Sequence, residues 1–370
     1  MEQVSAVENI IDEEFARTLI YKLTDWFEKN KRILPWRSNP TPYHVWVSEI
    51  MLQQTRVEAV KGYYDRFLSV LPDIKALADA DMDVLLKLWE GLGYYNRVRN
   101  MQKAAQTIME EYDGEFPDTY EEIVKLKGIG EYTAGAIASI AFLEAVPAVD
   151  GNVLRVISRI TGSRKDIGLS GTKKEIRELL NTMVPLSNPA SFNQGLMELG
   201  ALICVPNGTP KCSECPLSSL CSAYQEALTD VIPVKEKKVR RRVEEKTVLL
   251  LLYEGEGEPY IGITKRPETG LLSGMWQFPL LRAFSSSEEV KKQLGLTDCS
   301  ITEATGAKHI FSHIEWQMRG RLVLLKKLPK ELLIEEQRII FVPYRELKEH
   351  YALPSAFRVY KHLLEERYSS

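Results

Sequence analysis

The sequence predicts a mainly helical N-terminal region followed by a smaller α+β domain. From about Glu13 to Ala227, apolar residues recur every three or four positions, and prolines and glycines fall between the periodic segments. After Leu228 the pattern changes, and Ile314–Arg319 alternates apolar with polar residues, as a half-buried strand does. A chain of 370 residues is long enough for two domains, each with its own core.

The periodicity of the first region resolves into separate helical segments. The predicted helices are Phe15–Lys29, Thr41–Thr55, Ala59–Ser69, Val84–Trp89, Arg97–Tyr112, Tyr120–Leu126, Tyr132–Phe142, Asn152–Thr161, Lys173–Val184 and Ala190–Leu202. In the second domain the predicted elements are strands at Thr247–Tyr253 and Tyr260–Lys265, a turn between them at Gly255–Pro259, and a helix at Ser355–Arg367.

Composition and charge limit the classes of function. Hydrophobic residues make up 44% and charged residues 27%, and no apolar run approaches the roughly 20 residues that span a bilayer. A net charge of −3 means that any nucleic-acid contact must come from local patches. Val234–Arg242 holds six basic residues and one acidic residue, which favours a solvated linker that could contact phosphate. Met1–Asp12 is expected to be a disordered tail, and the lack of a targeting segment favours a cytoplasmic bacterial enzyme that works at the nucleoid.

Four cysteines lie close together as C-x7-C-x2-C-x5-C, at Cys204, Cys212, Cys215 and Cys221. Four thiolates so near each other can bind one metal centre. Zinc sites usually bring two C-x2-C pairs, whereas only one is present, so the spacing favours a [4Fe–4S] cluster, with zinc as the alternative. Disulfides are not expected, because the N-terminus has no secretory signal. Cys299 stands apart and is expected to be a small apolar filler.

The segment Leu126–Ala134 (LKGIGEYTA) combines a helix end, a G-x-G turn and the start of a new helix. Gly128 and Gly130 would let the backbone approach a phosphate, and the following helix offers free N–H groups and a positive dipole end. Such a turn can grip DNA without reading its sequence. A plain turn between helices is the alternative for a G-x-G pair alone.

Glu49 lies within an otherwise apolar helical segment, Val45–Leu52 (VWVSEIML). Burial of a carboxyl raises its pKa, which would keep Glu49 protonated and able to donate a proton. The alternatives are an ordinary ion pair with Arg32 or Arg37, or a side chain that faces water.

Asp150 lies just before a predicted helix, in Ala148–Val153 (AVDGNV). The N–H groups and dipole of the helix N-terminus are expected to lower its pKa and keep it ionised, although an ordinary N-cap aspartate fits as well. Together, Glu49 and Asp150 predict one neutral and one ionised carboxyl, the combination that cleavage of a glycosyl bond requires.

The segment Gly91–Asn100 (GLGYYNRVRN) combines glycines, paired tyrosines and two arginines. An exposed aromatic side chain on such a loop can wedge between bases, and arginines can bind phosphates. Gln53 and Gln54 end the helix of Glu49, and their amides could hydrogen-bond an unpaired base. The alternatives are a connecting loop with packed tyrosines and a polar helix end.

These motifs occur together along one stretch of chain. They are LPWR (Leu34–Arg37), WVSEIMLQQT (Trp46–Thr55), WEGLGYYNRVRN (Trp89–Asn100), LKGIGEYTAGAI (Leu126–Ile137), VDGNVLRV (Val149–Val156) and the four cysteines. Phe15–Leu228 thereby resembles the endonuclease III-like superfamily of helix-hairpin-helix DNA glycosylases, and within it the MutY family of adenine DNA glycosylases. The resemblance implies a helix-hairpin-helix six-helix barrel at about 34–146 and an iron–sulfur helical domain at about 13–33 and 147–229.

The resemblance also implies roles for individual residues. Glu49 matches the family's general acid at adenine N7, and Asp150 matches the carboxylate that stabilises or traps the sugar cation. The other implied roles belong to Tyr132 and Asn152 at the transition state, Arg32 and Gln194 at the adenine pocket, Gln54, Leu92 and Tyr94 around the oxidised guanine, with Tyr94 as the wedge, and the four cysteines at a [4Fe–4S] cluster. The first cysteine spacing is one residue longer than is usual in the family.

Tyr132 distinguishes two subclasses of the superfamily. Members that also cut the strand have a Schiff-base lysine at this position, so Tyr132 predicts base removal without efficient β-lyase cleavage. Lys125 and Lys127 lie nearby, but in the preceding turn. The alternatives to an adenine glycosylase are an oxidised-pyrimidine glycosylase/lyase and a non-catalytic DNA-damage binding protein.

After a basic linker at 230–246, residues 247–370 resemble the Nudix-like domain with which this family recognises 8-oxoguanine. The resemblance rests on Thr269–Pro279 (TGLLSGMWQFP) and Phe311–Trp316 (FSHIEW), of which Phe311, Ser312 and His313 match the lesion-reading loop. For these three residues alone, a strand-entry loop capped by serine is the alternative.

The same domain is not expected to hydrolyse nucleotides. A Nudix hydrolase needs paired metal-binding glutamates, and Lys292–Gln293 stands in the corresponding stretch. The expected partner is therefore double-stranded DNA with an A:8-oxoguanine or A:G mispair, bound by a monomer without membrane association.

Overall fold

The computed structural model describes residues 12–236, 241–255, 257–296 and 298–368. Helices account for the regular structure up to residue 225. They are α1 (Glu13–Asn30), α2 (Pro35–Ser38), α3 (Pro42–Leu52), α4 (Val57–Val70), α5 (Ile74–Asp79), α6 (Met82–Leu88), α7 (Asn96–Glu111), α8 (Tyr120–Ile123), α9 (Glu131–Ala141), α10 (Gly151–Ile160), α11 (Ser170–Asn181), α12 (Pro189–Leu202), two 3-10 helices (Cys212–Glu214 and Ser218–Leu220) and α13 (Ser222–Gln225).

The remaining elements form an α+β arrangement, so the predicted fold class is confirmed. They are β1 (Arg242–Tyr253), β2 (Tyr260–Lys265), β3 (Trp276–Gln277), β4 (Leu280–Leu281), α14 (Ser287–Leu294), β5 (Cys299–Ile310), β6 (Ile314–Leu325), β7 (Leu332–Ile334), β8 (Gln337–Pro343), α15 (Tyr344–His350), a 3-10 helix (Ser355–Phe357) and α16 (Arg358–Tyr368). Among the described residues, no helix has both the length and the apolar character needed to cross a bilayer.

Local capping explains where the helices begin. The Asp12 side chain accepts a hydrogen bond from the Phe15 N–H and caps α1, so this residue belongs to the helix start and not to the expected tail; residues 1–11 of that tail lie outside the described part. Thr41 caps α3, with Pro42 in its first turn. The helix predicted to reach Thr55 ends at Leu52, because Gln53 has a ψ of 111° and Gln54 a φ of +60°, and neither angle is helical.

The chain forms two compact units. The first, here called the helical unit, comprises residues 1–79 and 100–237, and the second, here called the sheet unit, comprises residues 80–99 and 238–370, as far as the structure describes them. A core of the helical unit contains Leu23, Val156 and Phe192, with apolar side chains from α1, α10, α11 and α12. This core supports the start of α10, where Asp150 lies.

The sheet unit is built on one twisted sheet with the strand order β5-β6-β1-β2-β8-β7; β3 pairs with β2 and β4 with β1. Strand β1 is buried on both faces. Val248, Leu250 and Leu252 enter one apolar cluster, whereas Leu249 and Leu251 enter another, as the two-residue period of a strand requires. Cys299 packs in the second cluster, which confirms that it fills apolar space.

One expected boundary in this unit is wrong. The basic linker was expected to extend to residue 246, but β1 begins at Arg242 and runs parallel to β6, from the pair Arg242–Ile314 to the pair Tyr253–Leu325. All residues of 242–246 except Val243 are charged, yet this stretch pairs with β6, a partner about 70 residues later in the chain, as backbone groups need partners. Residues 237–240 of the expected linker lie outside the described part.

Candidate active site

Glu49 is a buried carboxyl on α3, with only 7% of its surface exposed. Burial raises the pKa of Glu49 to about 7; a hydrogen bond donated by the Tyr132 hydroxyl lowers it, and the charge of Asp150 raises it. The side chain is therefore partly protonated near neutral pH, as its apolar surroundings in the sequence predicted.

Tyr132 lies in the first turn of α9, which begins after Gly130. Burial, together with the charges of Glu49 and Asp150, holds the pKa of Tyr132 far above its ordinary value, so its hydroxyl remains a hydrogen-bond donor. The hydroxyl also lies 3.8 Å from the sulfur of Met197.

Asp150 is the N-cap of α10, as predicted. Its Oδ1 accepts a hydrogen bond from the Val153 N–H at 2.8 Å, and its Oδ2 accepts one from the Asn152 amide at 2.7 Å. The predicted direction of its pKa shift is wrong: burial raises the pKa of Asp150, and these hydrogen bonds only reduce the increase. The loss of water around the Asp150 carboxyl raises its pKa by more than the helix N-terminus lowers it.

Asn152 is fixed from two sides. Its amide nitrogen donates to Asp150, while its Oδ1 accepts a hydrogen bond from Arg155 at 2.9 Å. Gly200 leaves it room, because a Cβ at that position would lie 2.6 Å from the Asn152 Cβ. Asn152 therefore orients the carboxylate of Asp150.

Glu198 is a site residue that the sequence reasoning missed. Its side chain is 1% exposed and forms ion pairs with Arg32 at 2.8 Å and Arg37 at 3.0 Å. Burial alone would raise the pKa of Glu198, but hydrogen bonds from both arginines hold it at about 2. The alternative that Glu49 pairs with these arginines is wrong, since both guanidinium groups pair with Glu198. In the sequence, Glu198 could have been noticed as the single carboxylate within the apolar stretch of α12.

Gln194 belongs to the same arrangement. Its Oε1 accepts a hydrogen bond from Arg37 Nε at 3.0 Å, so Arg37 connects Gln194 to Glu198.

At the end of α3, the Gln53 amide donates to the Thr133 hydroxyl at 3.4 Å. The next residue, Gln54, adopts the left-handed backbone conformation.

These side chains surround one cavity of about 1470 Å³ within the helical unit. Its lining includes the predicted residues Arg32, Glu49, Gln54, Gly130, Tyr132, Asp150, Asn152 and Gln194, together with Arg37, Met197 and Glu198. The cavity is large enough for a nucleoside, and it brings a neutral donor and a hydrogen-bonded carboxylate into one space. Gly128 is not part of this lining, and it supports the turn before α9 with a φ of +80°.

Leu92 and Tyr94 belong to the sheet unit, in a turn with three residues of positive φ. Gly91, Gly93 and Tyr94 have φ values of +103°, +69° and +49°. Leu92 is buried, whereas Tyr94 is 52% exposed. A tyrosine with positive φ is uncommon and often marks a functional position. The turn thus presents one aromatic ring on a defined backbone.

Phe311, Ser312 and His313 form the connection between β5 and β6. The Phe311 N–H donates to the Ile314 carbonyl at 2.8 Å, and the Phe311 ring lies 5.0 Å from that of Trp316 and 4.6 Å from that of His309. This hairpin tip is therefore held by aromatic packing on one side.

Comparison with known proteins agrees with this arrangement. The HhH-GPD superfamily of base excision DNA repair proteins matches residues 47–185, and the NUDIX domain family matches residues 247–362. The adenine DNA glycosylase of Buchnera aphidicola (subspecies Acyrthosiphon pisum) is 34% identical, over 89% of this chain and 93% of that protein. This chain belongs to the adenine DNA glycosylase family.

Other members and neighbours of the family extend the match. The Arabidopsis thaliana adenine DNA glycosylase is 36% identical over 86% of this chain, which spans 59% of that longer protein. The structure of a thermostable thymine-DNA glycosylase aligns with a TM-score of 0.53 and 29% identity, covering 58% of this chain and 98% of its own. As a member of this family, the chain is a DNA glycosylase of base excision repair.

The adenine DNA glycosylase family implies an iron–sulfur cluster, and the four cysteines fit one by their surroundings. Arg159 donates to the Cys204 sulfur at 3.2 Å, and the Cys221 sulfur donates to the Arg159 carbonyl at 3.4 Å. The Cys215 N–H donates to the Cys212 carbonyl at 3.2 Å, and burial, with the charges of the three other cysteines, raises the pKa of Cys215 to about 12.

Arg159 thus contacts two of the four cysteines. Each thiolate of a [4Fe–4S] cluster binds a different iron, so its ligands stand further apart than those of a zinc ion. Arg159 would offset part of the negative charge of such a cluster.

Proposed function

We propose that this chain removes adenine paired with 8-oxoguanine or guanine in DNA, by hydrolysis of the N-glycosidic bond and without strand cleavage. The observation that carries the proposal is the shared cavity in which Glu49, with a pKa of about 7, lies with Asp150 and Tyr132. Membership of the adenine DNA glycosylase family supports adenine as the substrate base.

In the first step, protonated Glu49 donates its proton to N7 of an extruded adenine. The bond between C1′ of the sugar and N9 then breaks, its electron pair stays with the adenine, and the sugar becomes an oxocarbenium ion. A pKa near the working pH suits this role, because the acid is then both populated and strong enough. The Tyr132 hydroxyl keeps the Glu49 carboxyl oriented.

In the second step, the Asp150 carboxylate stabilises the positive charge on the sugar or traps it covalently, until water adds at C1′. Hydrogen bonds from Val153 and Asn152 favour the ionised form of Asp150 and offset part of the effect of its burial. The base leaves as neutral adenine, and the proton released by water returns to a carboxylate.

The absence of strand cleavage follows from Tyr132. A β-lyase requires an amine that forms a Schiff base with C1′, and a phenol cannot do so. Lys125 and Lys127 lie in the turn before α9, where both are exposed, and Lys125 pairs with Glu122 at 2.5 Å.

Recognition of the opposite base is assigned to Gln54, Leu92, Tyr94 and the tip Phe311–His313. An exposed Tyr94 on a turn with left-handed backbone can wedge between bases and keep the duplex open, while adenine is extruded at a cost of a few kcal/mol. Gly128 and Gly130 precede α9, whose free N–H groups can bind a DNA phosphate.

The four cysteines are proposed to hold a [4Fe–4S] cluster. When bound, the cluster would cross-link the chain from Cys204 to Cys221 and present a fixed loop to DNA. Iron content and visible absorption of purified protein test this assignment, and a colourless iron-free sample would refute it.

The function is tested with duplexes that carry A:8-oxoguanine, A:G or thymine glycol. The proposal expects adenine release from the first two and no cleavage of the third, with abasic product that breaks only after alkali.

Glu49→Gln and Asp150→Asn should each abolish adenine release and largely spare DNA binding. Near-native single-turnover release of adenine by either variant would refute the role assigned to that residue. Action of the wild type on thymine glycol would favour a pyrimidine glycosylase. Binding of the duplexes without release of any base would favour a damage sensor.

A further inference from the structure

The turn that carries Leu92 and Tyr94 is anchored in the sheet unit by Glu90. The Glu90 side chain is only 16% exposed. Its Oε1 accepts a hydrogen bond from the Leu353 N–H at 3.2 Å and pairs with Lys361 Nζ at 2.5 Å, and its Oε2 pairs with Lys87 Nζ at 2.8 Å. A carboxylate so enclosed is costly without its partners.

These partners come from separate parts of the sheet unit. Lys361 lies on α16, and Leu353 lies between α15 and the 3-10 helix Ser355–Phe357. Lys87, on α6, also donates to the Tyr351 carbonyl at 3.2 Å. Glu90 thus connects the end of α6 to the C-terminal helices of the sheet unit.

The turn itself is held on its inner side. Arg97 donates to the carbonyls of Leu92 and Gly93 at 3.0 and 3.1 Å, and the Trp89 indole donates to the Gly93 carbonyl at 3.1 Å. The positive φ of Tyr94 persists only if such contacts fix the backbone. A displacement of Glu90 would therefore move the whole turn, with Tyr94 on it.

We propose that Glu90 is a positioning residue for recognition of the base opposite adenine, through which α16 and the loop before it set the place of Tyr94. This inference rests on the proposed function. The chemistry is assigned to Glu49 and Asp150, so loss of the Glu90 anchor should change the choice between 8-oxoguanine and guanine more than the rate of bond cleavage. The Arg99 guanidinium, which donates to the Ser273 carbonyl at 2.8 Å, is a second attachment of the same segment.

The test compares Glu90→Gln, Lys361→Met and the double variant in the full-length chain. Adenine release is measured from A:8-oxoguanine and A:G duplexes, at saturating and at limiting enzyme. Each single variant should lower the preference for 8-oxoguanine by about tenfold, which corresponds to ~1.4 kcal/mol, with little change in the saturated rate. The double variant should lose no more of the preference than the more affected single variant, because both substitutions break the ion pair between Glu90 and Lys361.

Two control variants separate position from charge. Lys361→Arg keeps the cation and should keep the preference. Lys326→Met also removes one positive charge from the sheet unit, but Lys326 is 74% exposed and lies 3.9 Å from Asp298, so it should behave as wild type. Lys361→Met keeps the contacts of Glu90 with Lys87 and Leu353. This variant therefore tests the proposal even if Glu90→Gln does not fold.

The outcomes distinguish this inference from the proposed function. If the wild-type chain releases no adenine, the proposed function fails. If the wild-type chain prefers 8-oxoguanine and folded Glu90→Gln and Lys361→Met keep that preference, only the role of Glu90 is refuted. Equal losses in the saturated rate and in the preference would also refute it, because Glu90 would then support the fold generally.

Discussion

The hydroxyl of Tyr132 donates a hydrogen bond to the buried carboxyl of Glu49. The two residues are far apart in the sequence, and their contact joins α3 to α9 in the lining of the cavity. Because the hydroxyl favours the ionised carboxyl, it moderates the effect of burial and brings the pKa of Glu49 to about 7. One hydrogen bond thus adjusts the pKa of the proposed general acid towards neutral pH.

Tyr132→Phe should therefore move the alkaline limb of the pH–rate profile upwards. In the proposed mechanism, activity requires protonated Glu49 and falls as the pH rises through its pKa. Loss of the hydrogen bond removes an influence that lowers this pKa. The maximal rate should fall, since the carboxyl loses its orientation. Single-turnover adenine release between pH 5 and 9 measures both effects, and a limb that moved to lower pH would contradict the argument.

Glu49→Gln should stabilise the folded protein at alkaline pH while it abolishes activity. The pKa of Glu49 is raised from 4.5 in the unfolded chain to about 7, so the wild type loses stability as the pH rises through this interval. Between pH 5 and pH 8, the wild type should lose roughly 2–3 kcal/mol relative to Glu49→Gln. Urea unfolding of both proteins at several pH values measures the difference.

The exposed residue Glu175, which pairs with Lys165 on the surface, provides a control for this comparison. Glu175→Gln removes the same charge from the protein surface, so it shows how much of the difference comes from the change of net charge alone. If the difference in free energy of unfolding between the wild type and Glu49→Gln stayed constant with pH, burial would not disfavour the ionised form of Glu49.

The sequence was sufficient for features that depend on neighbours along the chain. The apolar context of Glu49 indicated burial, and the position of Asp150 before a helix indicated an N-cap; both are confirmed. The direction of the pKa shift of Asp150 was not accessible in this way, because it depends on how much water the rest of the fold removes.

Features that depend on distant partners could not be predicted. Glu198 is 166 residues from Arg32, and only the folded chain shows that its charge is matched by two guanidinium groups. Likewise, the residues from Arg242 to Lys246 are too charged to indicate a strand, and they form one because β6 supplies the parallel partner.

Glu198→Gln should be strongly destabilising. The substitution leaves Arg32 and Arg37 without their anion inside the protein, and breaking a buried ion pair costs roughly 3 kcal/mol or more. The pKa of Glu198 is held at about 2, so its contribution is present above the ordinary pKa of 4.5 and is lost as the pH falls towards 2. The cost measured by urea unfolding should therefore shrink at acidic pH.

A second readout for this variant is adenine binding. Arg37 also donates to Gln194, so both side chains should lose their positions in the cavity lining. The KM for substrate DNA should rise at a temperature where Glu198→Gln is folded. Unchanged stability and KM at neutral pH would show that the two arginines find other partners.

The two glycines of the turn before α9 should respond differently to alanine. At Gly128, φ is +80° and a Cβ would lie 2.5 Å from the Asn100 Cβ, so Gly128→Ala should cost roughly 1–3 kcal/mol of stability. At Gly130, φ is −95° and a Cβ would meet nothing within 4 Å, so Gly130→Ala should fold with near-native stability.

If α9 binds a phosphate, however, the methyl group added at Gly130 lies where the backbone must approach that phosphate. Gly130→Ala should then weaken binding to undamaged duplex DNA. Thermal unfolding and DNA titrations at two salt concentrations separate the effects, and equal loss of stability in both variants would refute this division of roles.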